Sequence, residues 1–72
     1  MHLEILIHQG DTNYWSEIPE LPGCFASGPT LSELGDALAE AVGLYLWDGP
    51  AEIEPAELSV GWGEIDVRPA AA

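Results

Sequence analysis

Acidic side chains are the chemistry-bearing groups that this chain has in abundance. Thirteen Asp and Glu stand against a single base, Arg68, for a formal net charge of −12. Carboxylates gathered from separate elements can hold two divalent cations and activate water for phosphodiester cleavage. Glu4, Glu33, Asp36, Glu40, Glu64 and Asp66 are the residues that would have to supply them. Their placement argues against it. Asp36 and Glu40 fall one turn apart on the helix side opposite the apolar stripe, a solvated face rather than a buried site. An acid cluster with no lysine beside it also repels a nucleic-acid substrate. A metal-dependent nuclease is therefore the lesser alternative, and no enzyme is expected. His2 and His8 share a strand face but are six residues apart, roughly 20 Å in extended chain, too far to share a metal ion. They read as solvated strand histidines. Cys24 as a nucleophile would need a base and a lowered pKa, whereas its sequence neighbours are acids, which raise it. It reads as a structural thiol, and neither metal nor cofactor is expected.

Trp15, Trp47 and Trp62 invite a different chemistry, because tryptophan is enriched at interface hot spots. Trp62 is in phase with Leu58 and Val60 and is predicted to lie in the core. Trp47 maps to the polar side near Glu33, Glu40 and Gly43, where an interface position and a core position both remain open. A chain of 72 residues makes one domain that buries only about 60% of its unfolded surface. Such a core rarely supplies more than ~3–5 kcal/mol. With one cysteine no internal disulfide can help, so self-association is the remaining staple and a homo-oligomer is expected. A free thiol fits a reducing compartment. No stretch resembles a signal peptide or reaches the ~20 apolar residues of a membrane helix. The expected place is the cytoplasm, with no membrane contact. The charge repels nucleic-acid backbones and draws basic proteins.

The elements that must position these groups are legible from periodicity. "HLEILIHQ" alternates, with Leu3, Ile5 and Ile7 on one face and His2, Glu4, Leu6 and His8 on the other, the period of a half-buried strand. "GDTN" is a turn, and Tyr14 to Ile18 form the second strand of a hairpin, so either Trp15 and Glu17 or Tyr14, Ser16 and Ile18 face outward. Pro19 and Pro22 end that strand before a short third one around Cys24 to Ser27. Thr30 with Glu33 has capping-box spacing. Leu31, Leu34, Leu38, Ala41, Val42 and Tyr45 then follow a helical rhythm until Gly49-Pro50, with Glu33, Asp36, Glu40 and Gly43 on the opposite side. In "ELSVGWGEIDV" the apolar phase jumps from Leu58, Val60 and Trp62 to Ile65 and Val67, which predicts a final strand with a bulge at Gly61 to Gly63. The reading is α+β in the order β-β-β-α-β, one helix on one face of a four-stranded sheet. It places a single domain over residues 1–68 and a frayed tail over 69–72.

The stretch "YWSEIPELPGCFASGPTLSELGDALAEAVGLYL" resembles the core signature of HicB-like antitoxins. In that family an aromatic strand leads into a Pro-x-Leu-Pro-Gly-Cys turn and a short strand, and Gly-x-Thr then caps an acidic, alanine-rich helix. Ile18-Pro19-Glu20-Leu21-Pro22-Gly23-Cys24 carries the match together with Gly28, Thr30, Leu31, Glu33, Ala37, Glu40 and Ala41, covering residues 14 to about 48 by motif. Pro29 departs from the acidic residue common there, and Gly35 and Gly43 interrupt a helix that is usually filled. The helix-turn-helix or ribbon-helix-helix domain of full-length members does not follow, so operator binding is not carried over. The resemblance implies a partial ribonuclease H-like fold and the silencing of a small, basic, messenger-RNA-cleaving toxin of the HicA type. On that reading Trp15, Glu17 and Glu20 near the rigid turn meet the partner, and Glu33, Asp36 and Glu40 form an electrostatic face. The alternative is an orphan self-associating module with no toxin.

Overall fold

A computed structural model describes residues 1–54 and 57–70 of the chain. Its elements are β1 (His2–Gln9), β2 (Tyr14–Glu17), β3 (Phe25–Gly28), α1 (Leu31–Trp47), β4 (Ala51–Glu54) and β5 (Gly61–Pro69). The strands make one sheet in the order β3-β2-β1-β5-β4, with every pair antiparallel. The class is α+β, as the periodicity indicates, with five strands rather than the four predicted. The additional strand is β4, whose "AEIE" is short and half charged and so carries little β signal.

One sheet face is covered by the helix. Leu34, Leu38 and Val42, all fully buried, pack against Leu3, Ile5, Ile7, Ile65 and Val67. The helix begins where the capping spacing puts it, with Thr30 Oγ1 accepting from the Glu33 N–H at 3.1 Å. It ends on Asp48 in the left-handed conformation (φ 57°), and the Gly49 N–H donates back to the Gly43 carbonyl at 3.3 Å. This six-to-one closure satisfies a terminal carbonyl. Two members of the predicted helix pattern are corrected. Tyr45 is exposed, and its hydroxyl donates to the Pro22 carbonyl at 3.1 Å. Gly43 is buried because the chain after the helix folds back over it, with Ala51 N and Pro50 C each 2.8 Å from where a Cβ would stand.

The segment "IPELPGC" is two consecutive turns. Leu21 N–H donates to the Ile18 carbonyl and Cys24 N–H to the Leu21 carbonyl, each at 3.0 Å. Each proline therefore takes the second turn position, where its fixed φ suits the geometry, and Gly23 at φ 85° takes the third position of a type II turn. Ile18, Leu21 and Cys24 recur every third residue and all three are buried. The motif is thus a rigid corner that drives three apolar side chains inward.

β5 forms an unbroken ladder with β1, from Ile7 opposite Gly61 to His2 opposite Asp66. The predicted bulge at Gly61 to Gly63 is absent. Ile65 and Val67 set the phase and put Gly61 and Gly63 on the inner face, so Trp62 points outward and is 64% exposed rather than buried in the core. The strand continues to Pro69, and Ala70 N–H donates to the Pro50 carbonyl at 3.0 Å. The predicted frayed tail is therefore ordered at its start, while residues 71–72 lie outside the described residues.

Candidate functional site

Alternation along β1, β2, β3 and β5 builds the sheet face that the helix leaves open. Strand partners place its side chains in rows. Phe25, Glu17, Leu6 and Trp62 make one row across four strands. Ser27, Trp15 and His8 make the next. On the other side of the Leu6 row stand Glu4 and Glu64, then His2, Asp66 and Glu54. The face is thus aromatic and apolar at one end and acidic at the other. Phe25 and Trp62 are more than 60% exposed and Trp15 is 40% exposed, and exposed apolar side chains gathered on one face are of the kind that marks contact surfaces.

Trp15 is held in place by His8, whose ring stacks on it with centroids 3.8 Å apart at 17°. His8 Nε2 is shielded from solvent and has no hydrogen-bond partner, and Glu17 Oε1, at 3.9 Å, is beyond reach. At the acidic end His2 lies between two carboxylates, with Nδ1 3.0 Å from Asp66 and Nε2 3.3 Å from Glu64. The hydrogen bond to Asp66, followed by that to Glu64, holds the imidazole above its ordinary pKa. Arg68 bridges Glu52 (Nε to Oε2, 2.9 Å) and Glu54 (3.1 Å), and these carboxylates raise its pKa further. The chain's one Lys or Arg is thereby occupied. Glu4 and Glu64 are direct cross-strand partners, a like-charge placement that destabilises a sheet. A shallow depression opens between them, floored by Gly63 and flanked by Trp62.

The predicted partner residues divide between two sides of the molecule. Trp15 and Glu17 lie on the open sheet face, and Glu20 sits at the tip of the first turn, where its carboxylate accepts from the Glu4 N–H at 3.2 Å. Glu33, Asp36 and Glu40 are exposed on the helix, in the layer over the opposite sheet face. Asp36 borders a cleft with Leu31, Gly35, Ile53 and Leu58. The helix acids therefore do not converge with Glu4, Glu64 and Asp66. Among the described residues no three His, Cys, Asp or Glu side chains come together as a metal site, and no helix is long and apolar enough to cross a membrane. Burial raises the Cys24 thiol pKa, so desolvation acts here rather than the neighbouring acids. Trp47 is partly buried against the core.

Sequence reasoning missed Phe25 and Trp62 as members of the surface that holds Leu6 and Trp15. The alternation of β1 already placed Leu6 outward, but only the strand order brings the other two into its row, Trp62 opposite Leu6 and Phe25 across Glu17. Comparison with family models, with curated proteins and with solved structures finds no match to this chain.

Proposed function

We propose that this chain is an antitoxin-like binding module that neutralises a small, basic, messenger-RNA-cleaving toxin of the HicA type in the cytoplasm. The observation that carries the reading is the open sheet face, where exposed aromatic side chains adjoin carboxylates and the single arginine is already paired. A cationic RNA-binding surface complements such a face in charge, and carboxylates can stand where phosphates would. The HicB-like motif supports the reading through the corner it builds, which presents Glu20 beside β1 and holds the Tyr45 hydroxyl of the helix on the Pro22 carbonyl. A net charge of −12 steers a cationic partner at rates that fall steeply with salt.

Co-expression with a small basic ribonuclease of the HicA type, taken from the gene neighbourhood where one is encoded there, tests the proposal. The two proteins should co-purify with RNA cleavage suppressed. Glu17→Lys combined with Glu20→Lys should release the toxin and restore cleavage, because the substitution puts like charge against the partner. A ribonuclease that cleaves RNA equally well with and without this chain would remove the reading and leave the orphan, self-associating module.

A further inference from the structure

We infer that the open sheet face docks a cationic, amphipathic segment of a protein partner, with an apolar anchor over Leu6, Trp15 and Trp62 and an arginine or lysine against Glu4 and Glu64. The inference deepens the antitoxin reading by choosing the sheet face over the helix acids, and rests on that reading only for naming the partner a ribonuclease.

The register sets the pattern that the partner must match. Leu6 and Trp62 are opposite one another, and Glu4 and Glu64 are the next outward pair along the same two strands. Two residues along a strand separate these rows by about 7 Å. A partner therefore needs an apolar side chain with a cation about 7 Å from it, the spacing of residues i and i+2 on a strand or i and i+4 on a helix. Trp62 flanks the Glu4–Glu64 depression, so a guanidinium placed there would meet an aromatic edge or face together with two carboxylates. Such a cation would also relieve the repulsion between Glu4 and Glu64, which no base of the chain other than His2, at Glu64, touches.

Charge selects this occupant over a second copy of the chain. A copy brings a further −12 and no lysine, and its only arginine is held by Glu52 and Glu54. It could cover the aromatic rows but would leave Glu4 and Glu64 unanswered. The helix face also sets Asp36 and Glu40 beside an exposed apolar side chain, Leu44, but it offers neither an exposed tryptophan nor a directly opposed carboxylate pair, and the sheet face offers both.

The test uses the full chain, labelled with ¹⁵N, and three synthetic octapeptides at near-physiological salt: Leu-Arg, a twice-repeated Leu-Leu-Arg-Arg that sets leucine and arginine at i and i+2 on one strand face; all-Arg; and Leu-Glu, the same repeat with glutamate for arginine. The Leu-Arg peptide should shift the amides of Glu4, Leu6, Trp15 and Trp62. It should bind at least tenfold more tightly than all-Arg, and Leu-Glu should not bind. Trp62→Ala, at an exposed position that leaves the core intact, should weaken Leu-Arg binding at least tenfold. Glu4→Gln with Glu64→Gln, which keeps size and packing, should weaken it similarly and flatten its salt dependence, while Asp36→Asn with Glu40→Gln should change it less than twofold. Equal binding of all-Arg and Leu-Arg, or shifts confined to Glu33, Asp36 and Glu40, would overturn the inference. So would a dimer of the chain alone, seen by sedimentation and abolished by Trp62→Ala. Peptide binding at this face with no ribonuclease partner would keep the surface and remove the antitoxin reading. A toxin complex of unchanged affinity in both outer-face variants would do the reverse.

Discussion

Ser16 is fully buried on the helix-covered face, between Ile7 and Ala26 in the register, and its hydroxyl has no hydrogen-bond partner. An unpaired buried hydroxyl costs about 1–3 kcal/mol of desolvation, so Ser16→Ala should raise stability by about 1 kcal/mol in urea unfolding. A loss of stability would mean that the hydroxyl has a partner in solution. His2 makes the opposite kind of contribution. Asp66 and Glu64 raise its pKa above the ordinary 6.5. A group whose folded pKa lies above its unfolded one adds stability that is complete below the unfolded value and is lost as pH rises through the folded value. The urea midpoint should therefore fall as pH is raised from below 6.5, and the difference between wild type and His2→Gln should vanish at high pH. A difference that stays constant with pH would show that the ring contributes by contact rather than by charge.

The helix holds two interior glycines of opposite meaning. At Gly35 a Cβ would meet only Leu58 Cδ1, at an ordinary 3.5 Å, whereas at Gly43 it would overlap the Gly49 carbonyl oxygen. Gly35→Ala should therefore stabilise by up to about 1 kcal/mol through helix propensity. Gly43→Ala should destabilise by about 1–3 kcal/mol through overpacking. Calorimetric melting of both variants checks the pair, and a shift of the same sign in each would sink the distinction. Asp48→Gly should stabilise by about 1 kcal/mol, since it relieves left-handed backbone and removes an anion from the negative end of the helix. In a domain of this size that is ~4–8 °C in melting temperature. The helix was legible because Leu34, Leu38 and Val42 repeat at its period and Thr30 announces its start. β4 was not, because Ala51 and Ile53 are too few to establish alternation. The direction of Trp62 was misread because Gly61 and Gly63 have no side chains to mark the inner face, which left the tryptophan to be phased with Leu58 and Val60 ahead of the strand. Half of the open face was legible in β1 and β2, and the rest required knowing that β5 lies against β1.

Across the whole molecule the charge is nearly all of one sign, so screening should help the folded state. Melting temperature should rise as sodium chloride goes from about 20 to 200 mM, where the Debye length falls below ~10 Å. A chain held together chiefly by its Arg68 and His2 ion pairs would show the reverse. The strand order carries a further consequence. The strand made last in sequence, β5, lies between the first, β1, and the fourth, β4. Residues 1–54 can fold their hairpin, corner and helix early from local contacts, but β1 then presents a bare hydrogen-bonding edge beside Leu3, Ile5 and Ile7 until residue 61 and its successors arrive. Closing that gap joins positions about sixty residues apart, the kind of non-local pairing that slows folding. During synthesis the half-built sheet is a template for any free strand, including β5 of another nascent copy, so the time between translation of β4 and closure by β5 is when this chain is most exposed to mispairing.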